Sequence, residues 1–382
     1  MLPYSRQWID GRDVAHVIKV LRSDFLTQGE AVIKLEKSVS DYCEVKYSVA
    51  FSSGTAALHG ACFAAGIGIG DEVITTPLTF AASANCILYM GATPVFADVQ
   101  KNLPLIDPDE IRQKITKKTR AIIPVDYSGI PVDYDGINKI AKKNKLIVIA
   151  DSAHSLGATY KGKKIGNLAD MTVFSFHPVK TITTGEGGMV VTNNKNFYKR
   201  LCLFRTHGIT KNPKYLIDKT QGPWFYEMQE LGFNYRLTDI QAALGISQMK
   251  RINFFIKRRR EISQKYMSAF KNYRSIKILQ NDSIVRSAWH LFPIIINTKN
   301  YRQDRLRLFN NFHQAGLKVQ VHYIPIHLHP FYRKRFGYKR GDFPYAERFY
   351  DGEISLPIYP KMSNKDIERV IEVTSDLIKD LE

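Results

Sequence analysis

Residues 47–65, YSVAFSSGTAALHGACFAA, place a short apolar run, a glycine-containing turn and a helical pattern in immediate succession. Tyr47 to Phe51 is predicted to form a strand, and the apolar spacing from Thr55 to Ala65 predicts a helix. Between them, Gly54 lets the backbone approach an anion closely, and the helix N-terminus offers unpaired N–H groups. The alternative is a plain strand-to-helix turn with a serine or threonine cap.

The same alternation of strand and helix continues through the first two hundred residues. Further strands are predicted at Glu72 to Thr75, Pro94 to Asp98, Ala121 to Val125, Leu146 to Ala150, Thr172 to Phe176 and Met189 to Thr192, with helices at Phe80 to Tyr89 and Tyr134 to Lys143. This order predicts an α/β fold with a mostly parallel sheet covered on both faces. Such sheets bind ligands beyond the carboxyl ends of their strands, so the residues at those ends are the candidates for chemistry.

The pattern changes after Asp239. Ile240 to Met267 predicts one or two long helices, and beyond them strands are predicted at Ile276 to Leu279, His290 to Ile296 and Lys318 to His322. The chain has 382 residues, more than one hydrophobic core usually fills. We therefore expect an N-terminal arm over residues 1–25, a large domain over 26–250 and a smaller α+β domain over 251–382.

The net charge of +19 is compatible with two classes of anionic partner, nucleic acid and a small charged substrate. The densest basic run, Lys257 to Arg260, lies in a helical pattern and is interpreted as a solvated helix face. The sequence has no helix-turn-helix signature, zinc finger or RNA-binding aromatic motif, so we expect no nucleic-acid partner. A nucleic-acid-binding regulator built on an enzyme fold is the alternative from another class.

The sequence also bears on location and metal binding. The N-terminus lacks the apolar core of a secretion signal, and the apolar runs are far shorter than the ~20 residues that span a bilayer. Cys43, Cys62, Cys86 and Cys202 are scattered, without C-x-x-C pairing or histidines at metal-ligand spacing. We expect a cytoplasmic protein with no membrane segment, reduced and buried cysteines, and no metal.

Two charged residues follow strands of the predicted sheet. Asp151 comes directly after the Leu146 to Ala150 strand, where a carboxylate can pair with a protonated ring nitrogen or simply cap the next segment. Ser175 to Lys180 runs from a strand end into the threonine- and glycine-rich turn TITTGEGG. A lysine buried there would have a lowered amine pKa and could attack an aldehyde, while the Ser175 hydroxyl could reach a phosphate.

Two aromatic residues lie at comparable positions. Phe80 could lie flat against a pyridine ring, with core packing as the alternative. His154 is expected to pack or hydrogen-bond beside such a ring rather than act as a base. Together with Asp151 and Lys180, these residues meet the needs of a pyridoxal 5′-phosphate site.

Four motifs resemble the DegT/DnrJ/EryC1/StrS family of nucleotide-sugar aminotransferases, in the same order and over nearly the whole chain. They are SGTAAL at 53–58, DSAH at 151–154, SFHPVK with the following GEGG at 175–188, and LGFNYRLTD at 231–239. The family has the fold type I aminotransferase architecture and uses pyridoxal 5′-phosphate. The resemblance therefore implies a pyridoxal-phosphate aminotransferase with a large α/β domain and a smaller α+β domain.

The resemblance also implies roles for single residues. Lys180 matches the catalytic lysine that binds the cofactor covalently, and relatives with histidine at this position are deoxygenases, so the lysine implies transamination. Asn234 matches an asparagine that reaches the cofactor phosphate from a neighbouring subunit, which implies a homodimer with shared active sites. The other implied cofactor contacts are Gly54, Thr55 and Ser175 at the phosphate, and Phe80, Asp151 and His154 at the ring.

Further stretches resemble one branch of the family, the C4 aminotransferases of pseudaminic acid biosynthesis. They are LTQG at 26–29, ITTP at 74–77, PWFYEMQEL at 223–231 and QVHYIP at 320–325. The resemblance implies a UDP-linked 4-keto-6-deoxy sugar, UDP-2-acetamido-2,6-dideoxy-β-L-arabino-hexos-4-ulose, as substrate and L-glutamate as amino donor. It implies substrate contacts from Tyr4, Phe25, Leu26, Thr27, His322, Tyr323, Ile324 and Pro325. Another UDP- or dTDP-linked 4-keto sugar is the alternative substrate.

Overall fold

The computed structural model describes residues 1–280 and 283–381. Its helices are α1 (Gly11–Leu21), α2 (Glu30–Cys43), α3 (Gly54–Ala64), α4 (Ala82–Tyr89), α5 (Pro108–Lys114), α6 (Tyr134–Asn144), α7 (Lys195–Phe204), α8 (Asp239–Met249), α9 (Ile252–Phe270), α10 (Tyr301–Gln314), α11 (Pro330–Phe336), α12 (Pro344–Gly352) and α13 (Asn364–Lys379). Within the described ranges, none of these helices combines the length and the apolar character needed to cross a membrane.

The strands are short and belong to four sheets. They are β1 (Tyr47–Phe51), β2 (Glu72–Thr75), β3 (Thr93–Phe96), β4 (Thr119–Ile123), β5 (Ile147–Asp151), β6 (Thr159–Tyr160), β7 (Lys163–Lys164), β8 (Met171–Ser175), β9 (Gly188–Thr192), β10 (Ile209–Thr210), β11 (Glu227–Met228), β12 (Ile276–Ile278), β13 (Val285–Arg286), β14 (Phe292–Ile296) and β15 (Glu353–Leu356). Each strand predicted before residue 200 matches one of them within about two residues.

Seven strands form the central sheet, in the order β1-β9-β8-β5-β4-β2-β3. β3, β2, β4, β5 and β8 are parallel, whereas β9 is antiparallel to both of its neighbours. Neighbouring residues of one strand alternate between two hydrophobic clusters: Val173 and Val190 pack into one, and Phe174 and Met189 into the other. Both faces are therefore covered, and the predicted α/β sheet is confirmed.

A glycine brings two strand ends together at the site of interest. Gly188 starts β9 and pairs with Phe51 on β1 and with Ser175 on β8. A Cβ at this position would overlap the carbonyl of Ser53. Only glycine therefore lets β9 enter between the two strands, and the turn after β1 then lies beside the end of β8.

A second, antiparallel sheet of β12, β14 and β15 packs with α9, α10 and α13 around a separate hydrophobic cluster. The N-terminal segment reaches this unit, since Leu2 forms backbone hydrogen bonds with Gly316 and Lys318 at 2.8 Å each. The predicted boundary near residue 250 falls between α8 and α9. The division into an arm and two domains stays a prediction.

The predicted strand at Lys318 to His322 is wrong. Gln320 makes a single antiparallel bridge with Ser355, and the chain then continues through a cis peptide bond between His322 and Tyr323. The N–H of His322 is bound by the Glu353 carboxylate at 2.7 Å instead of by a strand neighbour. A buried side chain thus replaces the backbone ladder that the apolar pattern predicts.

The interpretation of Lys257 to Arg260 as a solvated helix face is wrong for one residue. Arg259 is only 1% exposed, although Lys257 is exposed as expected. The expectation that the cysteines are buried is confirmed for Cys43, Cys62 and Cys86, whereas Cys202 is only partly buried.

Candidate active site

A cavity of about 460 Å³ lies at the carboxyl ends of the central strands. Two surface grooves of about 550 and 650 Å³ contain none of the predicted site residues, so size alone does not identify the site. The smaller cavity brings together ten of the predicted positions. They are Tyr4, Gly54, Thr55, Phe80, Asp151, His154, Ser175, Lys180, His322 and Tyr323.

The turn after β1 forms one end of this cavity. Ser53 caps α3, and its hydroxyl accepts a hydrogen bond from the N–H of Ala56 at 3.1 Å. The following N-terminal residues, Gly54 and Thr55, line the cavity. A Cβ on Gly54 would lie only 3.0 Å from the Cβ of Ser175. The helix N-terminus and a nearby hydroxyl form a cradle for a phosphate, and a larger residue than glycine would fill it.

Asp151, the last residue of β5, is buried beside the cavity. Its Oδ2 accepts a hydrogen bond from Ser83 Oγ at 2.6 Å, and its Oδ1 accepts one from the N–H of Ala153 at 3.2 Å. Burial raises the pKa of Asp151, and the bond from Ser83 opposes that rise. Ser83 was not among the residues predicted from the sequence. Ser83 and Asn85 are the two polar residues among the apolar side chains of α4, and this position was the available signal.

Lys180 lies on a turn that is held by its own backbone and threonine side chains. The carbonyl of Phe176 accepts hydrogen bonds from Thr183 Oγ1 and from the N–H of Thr184, both at 3.0 Å. The N–H of Lys180 is bound by the carbonyl of His177 at 2.9 Å. Burial lowers the pKa of the Lys180 amine to about 8, and Asp151 partly opposes this effect. A neutral amine is therefore accessible near physiological pH.

Arg259 supports the lysine turn from α9. Its guanidinium donates to the carbonyls of Ile358 at 2.9 Å, His290 at 3.1 Å and Trp289 at 3.2 Å. A longer bond of 3.4 Å reaches the carbonyl of Val179, the residue before Lys180. Because Arg259 is a buried cation, it adds to the lowering of the Lys180 pKa.

A histidine and a tyrosine form part of the cavity wall. Tyr323 Oη lies 3.1 Å from His154 Nε2, and the N–H of Ser128 points to His154 Nδ1 at 3.3 Å. The ring of His290 packs against His154 with centroids 4.3 Å apart. Burial lowers the pKa of His154 well below its ordinary value, so this imidazole is neutral.

His322 is held by one acidic residue, Glu353, and one hydroxyl residue, Ser355. Neither was predicted from the sequence. Nδ1 of His322 lies 2.9 Å from Ser355 Oγ, and Ser355 Oγ donates to Glu353 Oε1 at 2.5 Å. Burial lowers the pKa of His322 to about 3 and raises that of Glu353 to about 8. These partners are more than 30 residues away in sequence, so local patterns gave no signal for them.

In the part of the chain that the structure describes, six predicted site residues do not line this cavity. They are Phe25, Leu26, Thr27, Asn234, Ile324 and Pro325. The segment around Leu26 is exposed and is held to the start of α8 by a bond from the N–H of Asp239 to its carbonyl at 3.0 Å. Asn234 and Ile324 are also exposed, whereas Pro325 is buried. The roles of all six stay predictions.

Comparison with known proteins gives matches over almost the full length. The family model for the DegT/DnrJ/EryC1/StrS aminotransferases matches residues 7–375. The chain is 39% identical to the UDP-4-amino-4,6-dideoxy-N-acetyl-β-L-altrosamine transaminase of Campylobacter jejuni, covering 99% of this chain and 98% of that one. It is also 39% identical to a spore coat polysaccharide biosynthesis protein of Bacillus subtilis, covering 99% and 97%. A Streptococcus pneumoniae protein solved in its PLP form has a TM-score of 0.93 at 32% identity, covering 100% and 99%.

The cavity fits the cofactor of this family. A low-pKa amine, a buried carboxylate suited to a ring nitrogen and a glycine cradle at a helix N-terminus meet the needs of pyridoxal 5′-phosphate. The expected architecture, enzyme class and cofactor are thus confirmed. The chain belongs to the DegT/DnrJ/EryC1/StrS aminotransferase family and is a pyridoxal-phosphate-dependent aminotransferase.

Proposed function

We propose that this enzyme moves the amino group of L-glutamate to C4 of UDP-2-acetamido-2,6-dideoxy-β-L-arabino-hexos-4-ulose. The products are UDP-4-amino-4,6-dideoxy-N-acetyl-β-L-altrosamine and 2-oxoglutarate, as in pseudaminic acid biosynthesis. The observation that carries the proposal is the single cavity shared by Lys180, Asp151 and the sugar-contact candidates His322 and Tyr323. The full-length match to the Campylobacter jejuni transaminase supports the choice of sugar.

Pyridoxal phosphate, when bound, supplies a sink for the electrons left at the reacting carbon. Lys180 is the residue that would hold it covalently, and the released amine would remove the proton from Cα of glutamate. The same amine would return a proton to C4 of the sugar, on the face that decides its configuration. Asp151 would keep the ring nitrogen protonated, and the Gly54 turn with Ser175 would bind the phosphate.

We also propose a cytoplasmic homodimer in which Asn234 completes the site of the partner subunit. Large apolar side chains are exposed in the segments that flank Asn234 or are bonded to the start of α8: Trp224 and Leu231 are each 73% exposed, and Phe25 is 62% exposed. Large exposed apolar side chains are typical of association surfaces, and they support this proposal. This arrangement would also explain why Phe25 does not line the cavity of its own chain.

The second candidate is a C4 aminotransferase for another 4-keto-6-deoxy sugar nucleotide. It is favoured by the equal identity to the spore coat polysaccharide protein of Bacillus subtilis. A panel of keto-sugar nucleotides, including the D-gluco and β-L-arabino isomers, separates the two. We expect the highest kcat/KM for the β-L-arabino isomer, no product with Lys180→Ala, and normal turnover with the exposed-lysine control Lys163→Ala. A clear preference for another isomer would show that the proposed substrate is wrong, while the proposed C4 transamination would still hold.

A further inference from the structure

The hydroxyl of Tyr323 can either donate its hydrogen to His154 or accept one from it, and the position of its oxygen alone does not decide between the two. Its Oη is 3.1 Å from His154 Nε2, and either atom can in principle donate the hydrogen. If Tyr323 donates to His154, its oxygen faces the cavity as an acceptor. If His154 donates, the hydrogen of Tyr323 remains available to another group.

The second nitrogen of His154 decides between the two. The backbone N–H of Ser128 can only donate, and it points to His154 Nδ1 at 3.3 Å. Ser128 itself is fixed, because its carbonyl accepts from the N–H of His290 at 2.9 Å and its Oγ donates to the carbonyl of Leu291 at 2.7 Å. Nδ1 must therefore carry a lone pair. Since a neutral imidazole has one N–H, that N–H is on Nε2.

It follows that His154 donates to Tyr323, and that the hydrogen of Tyr323 is directed elsewhere. Within residues 1–280 and 283–381, His154 is the one hydrogen-bond partner of this hydroxyl. Tyr323 lines the cavity together with Lys180, and its ring lies 6.0 Å from that of Phe80. Burial raises the pKa of Tyr323, so the phenol keeps its proton. The cavity wall thus presents the Tyr323 hydroxyl as a hydrogen-bond donor. Its direction is fixed through His154 by the backbone N–H of Ser128.

We propose that Tyr323 donates this hydrogen bond to the C4 carbonyl oxygen of the keto sugar, with His154 as its positioning residue. This inference rests on the proposed function and adds the group that recognises the ketone. The bond polarises the carbon that receives nitrogen, and the proton stays on Tyr323 throughout. A donor at this point favours a carbonyl over a methylene, so it selects substrates that carry the ketone.

Binding to Lys180→Ala loaded with pyridoxine phosphate tests the donor without turnover, because the hydroxymethyl group of this analogue cannot condense with the ketone. The Kd ratio between a 4-deoxy analogue and the 4-keto nucleotide is expected to be about tenfold, the size of one typical net hydrogen bond. In Lys180→Ala/Tyr323→Phe the ratio should fall to about one. Lys180→Ala/Tyr332→Phe is the matched control, because it removes a buried tyrosine hydroxyl that bonds Asn85 Oδ1 outside the cavity; here the ratio should persist.

Kinetics and spectra of the single variants separate the possible outcomes. We expect Tyr323→Phe to lower kcat/KM for the keto sugar at least tenfold and to leave the pH titration of the bound-cofactor absorbance unmoved. His154→Gln, which keeps a donor for Tyr323, should retain more activity than His154→Leu. If Tyr323→Phe shifts the pH titration of the cofactor absorbance, the hydroxyl bonds the cofactor and not the sugar. If the Kd ratio between the 4-deoxy and 4-keto nucleotides does not change on removal of the hydroxyl, Tyr323 makes no such bond. Either result overturns the inference. A wild-type enzyme that accepts glutamate but aminates no keto sugar would overturn the proposed function itself.

Discussion

Ser83 Oγ donates a hydrogen bond of 2.6 Å to Asp151 Oδ2 and thereby joins α4 to the end of β5. Both residues are buried, and Ser83 is also within 2.7 Å of Thr79 Oγ1. A donor to a carboxylate stabilises its charged form, which is the form that pairs with a protonated ring nitrogen. The serine would therefore support a bound cofactor through Asp151, although it does not line the cavity.

Replacement of Ser83 by alanine should weaken this support. The pKa of Asp151, already raised by burial, should rise further because the opposing hydrogen bond is lost. A bond to a charged group contributes about 1.5–3 kcal/mol, so we expect kcat to fall roughly tenfold or more. Steady-state kinetics measure the effect. Ser263→Ala is the control, because it removes another buried serine hydroxyl that does not line the cavity. Equal effects in both variants would argue against a role for Ser83.

The glycine cradle gives a prediction on cofactor affinity. A Cβ at Gly54 would be 3.0 Å from the Cβ of Ser175 and would occupy the phosphate end of the cavity. Gly54→Ala should raise the Kd for pyridoxal phosphate about tenfold, because the added methyl group would occupy the space of the phosphate. Thermal stability should change little, since overpacking at the edge of the cavity costs only about 1 kcal/mol. Absorbance titration of the cofactor-free protein measures this. At Gly11 a Cβ meets nothing within 4 Å, so Gly11→Ala should bind the cofactor normally.

The pKa of Lys180 predicts a pH dependence of stability in the cofactor-free protein. The folded-state pKa is lowered to about 8 from an ordinary 10.5, so between these values the unfolded chain binds more protons than the folded one. The contribution of Lys180 to the free energy of unfolding should therefore rise as pH increases from about 8 to 10.5 and stay constant below that window. Denaturant unfolding of wild type and Lys180→Met across this range measures the difference. If exposed Lys163→Met shows the same pH-dependent difference, the effect does not belong to Lys180.

The proposed homodimer with shared sites predicts complementation between the Lys180→Ala and Asn234→Ala variants. In a mixture of Lys180→Ala and Asn234→Ala, a heterodimer has one site with an intact lysine and an intact asparagine from the other chain. Random exchange makes half of the dimers mixed, with one of two sites restored, so roughly a quarter of wild-type activity should return. If Asn234 acts within its own chain, both sites of the heterodimer stay defective and no activity returns.

Local patterns were sufficient for the central sheet. The strands β1, β5 and β8 are apolar runs that end at serine or aspartate or are followed directly by serine. Helices separate most of the strands, so the hydrophobic period and the residues that end each run locate them. The same logic located the strand-end residues Gly54, Asp151 and Ser175, because parallel strands bring their carboxyl ends to one edge. The family motifs supplied the cofactor and the reaction class.

The misplaced and missing residues share a different cause. Arg259 is of the same residue type as its half-buried neighbours Arg258 and Arg260, and only the fold shows that backbone carbonyls surround it. Ser83, Glu353 and Ser355 act through partners between 31 and 68 residues away, which periodicity does not register. The predicted strand at Lys318 to His322 failed for the same reason. In each case a long-range polar contact, not a local preference, decides the structure.

Transfer of isotope from donor to sugar tests the central claim most directly. Wild-type enzyme is incubated with [¹⁵N]glutamate and the β-L-arabino 4-keto nucleotide, and the product is examined by NMR and mass spectrometry. We predict a single aminated product with ¹⁵N on C4 in the altro configuration, formed in step with 2-oxoglutarate and absent with Lys180→Ala. Two results would contradict the transfer of nitrogen from glutamate to C4 through Lys180. One is 2-oxoglutarate formation without ¹⁵N on the sugar, and the other is ¹⁵N on C4 in the reaction with Lys180→Ala.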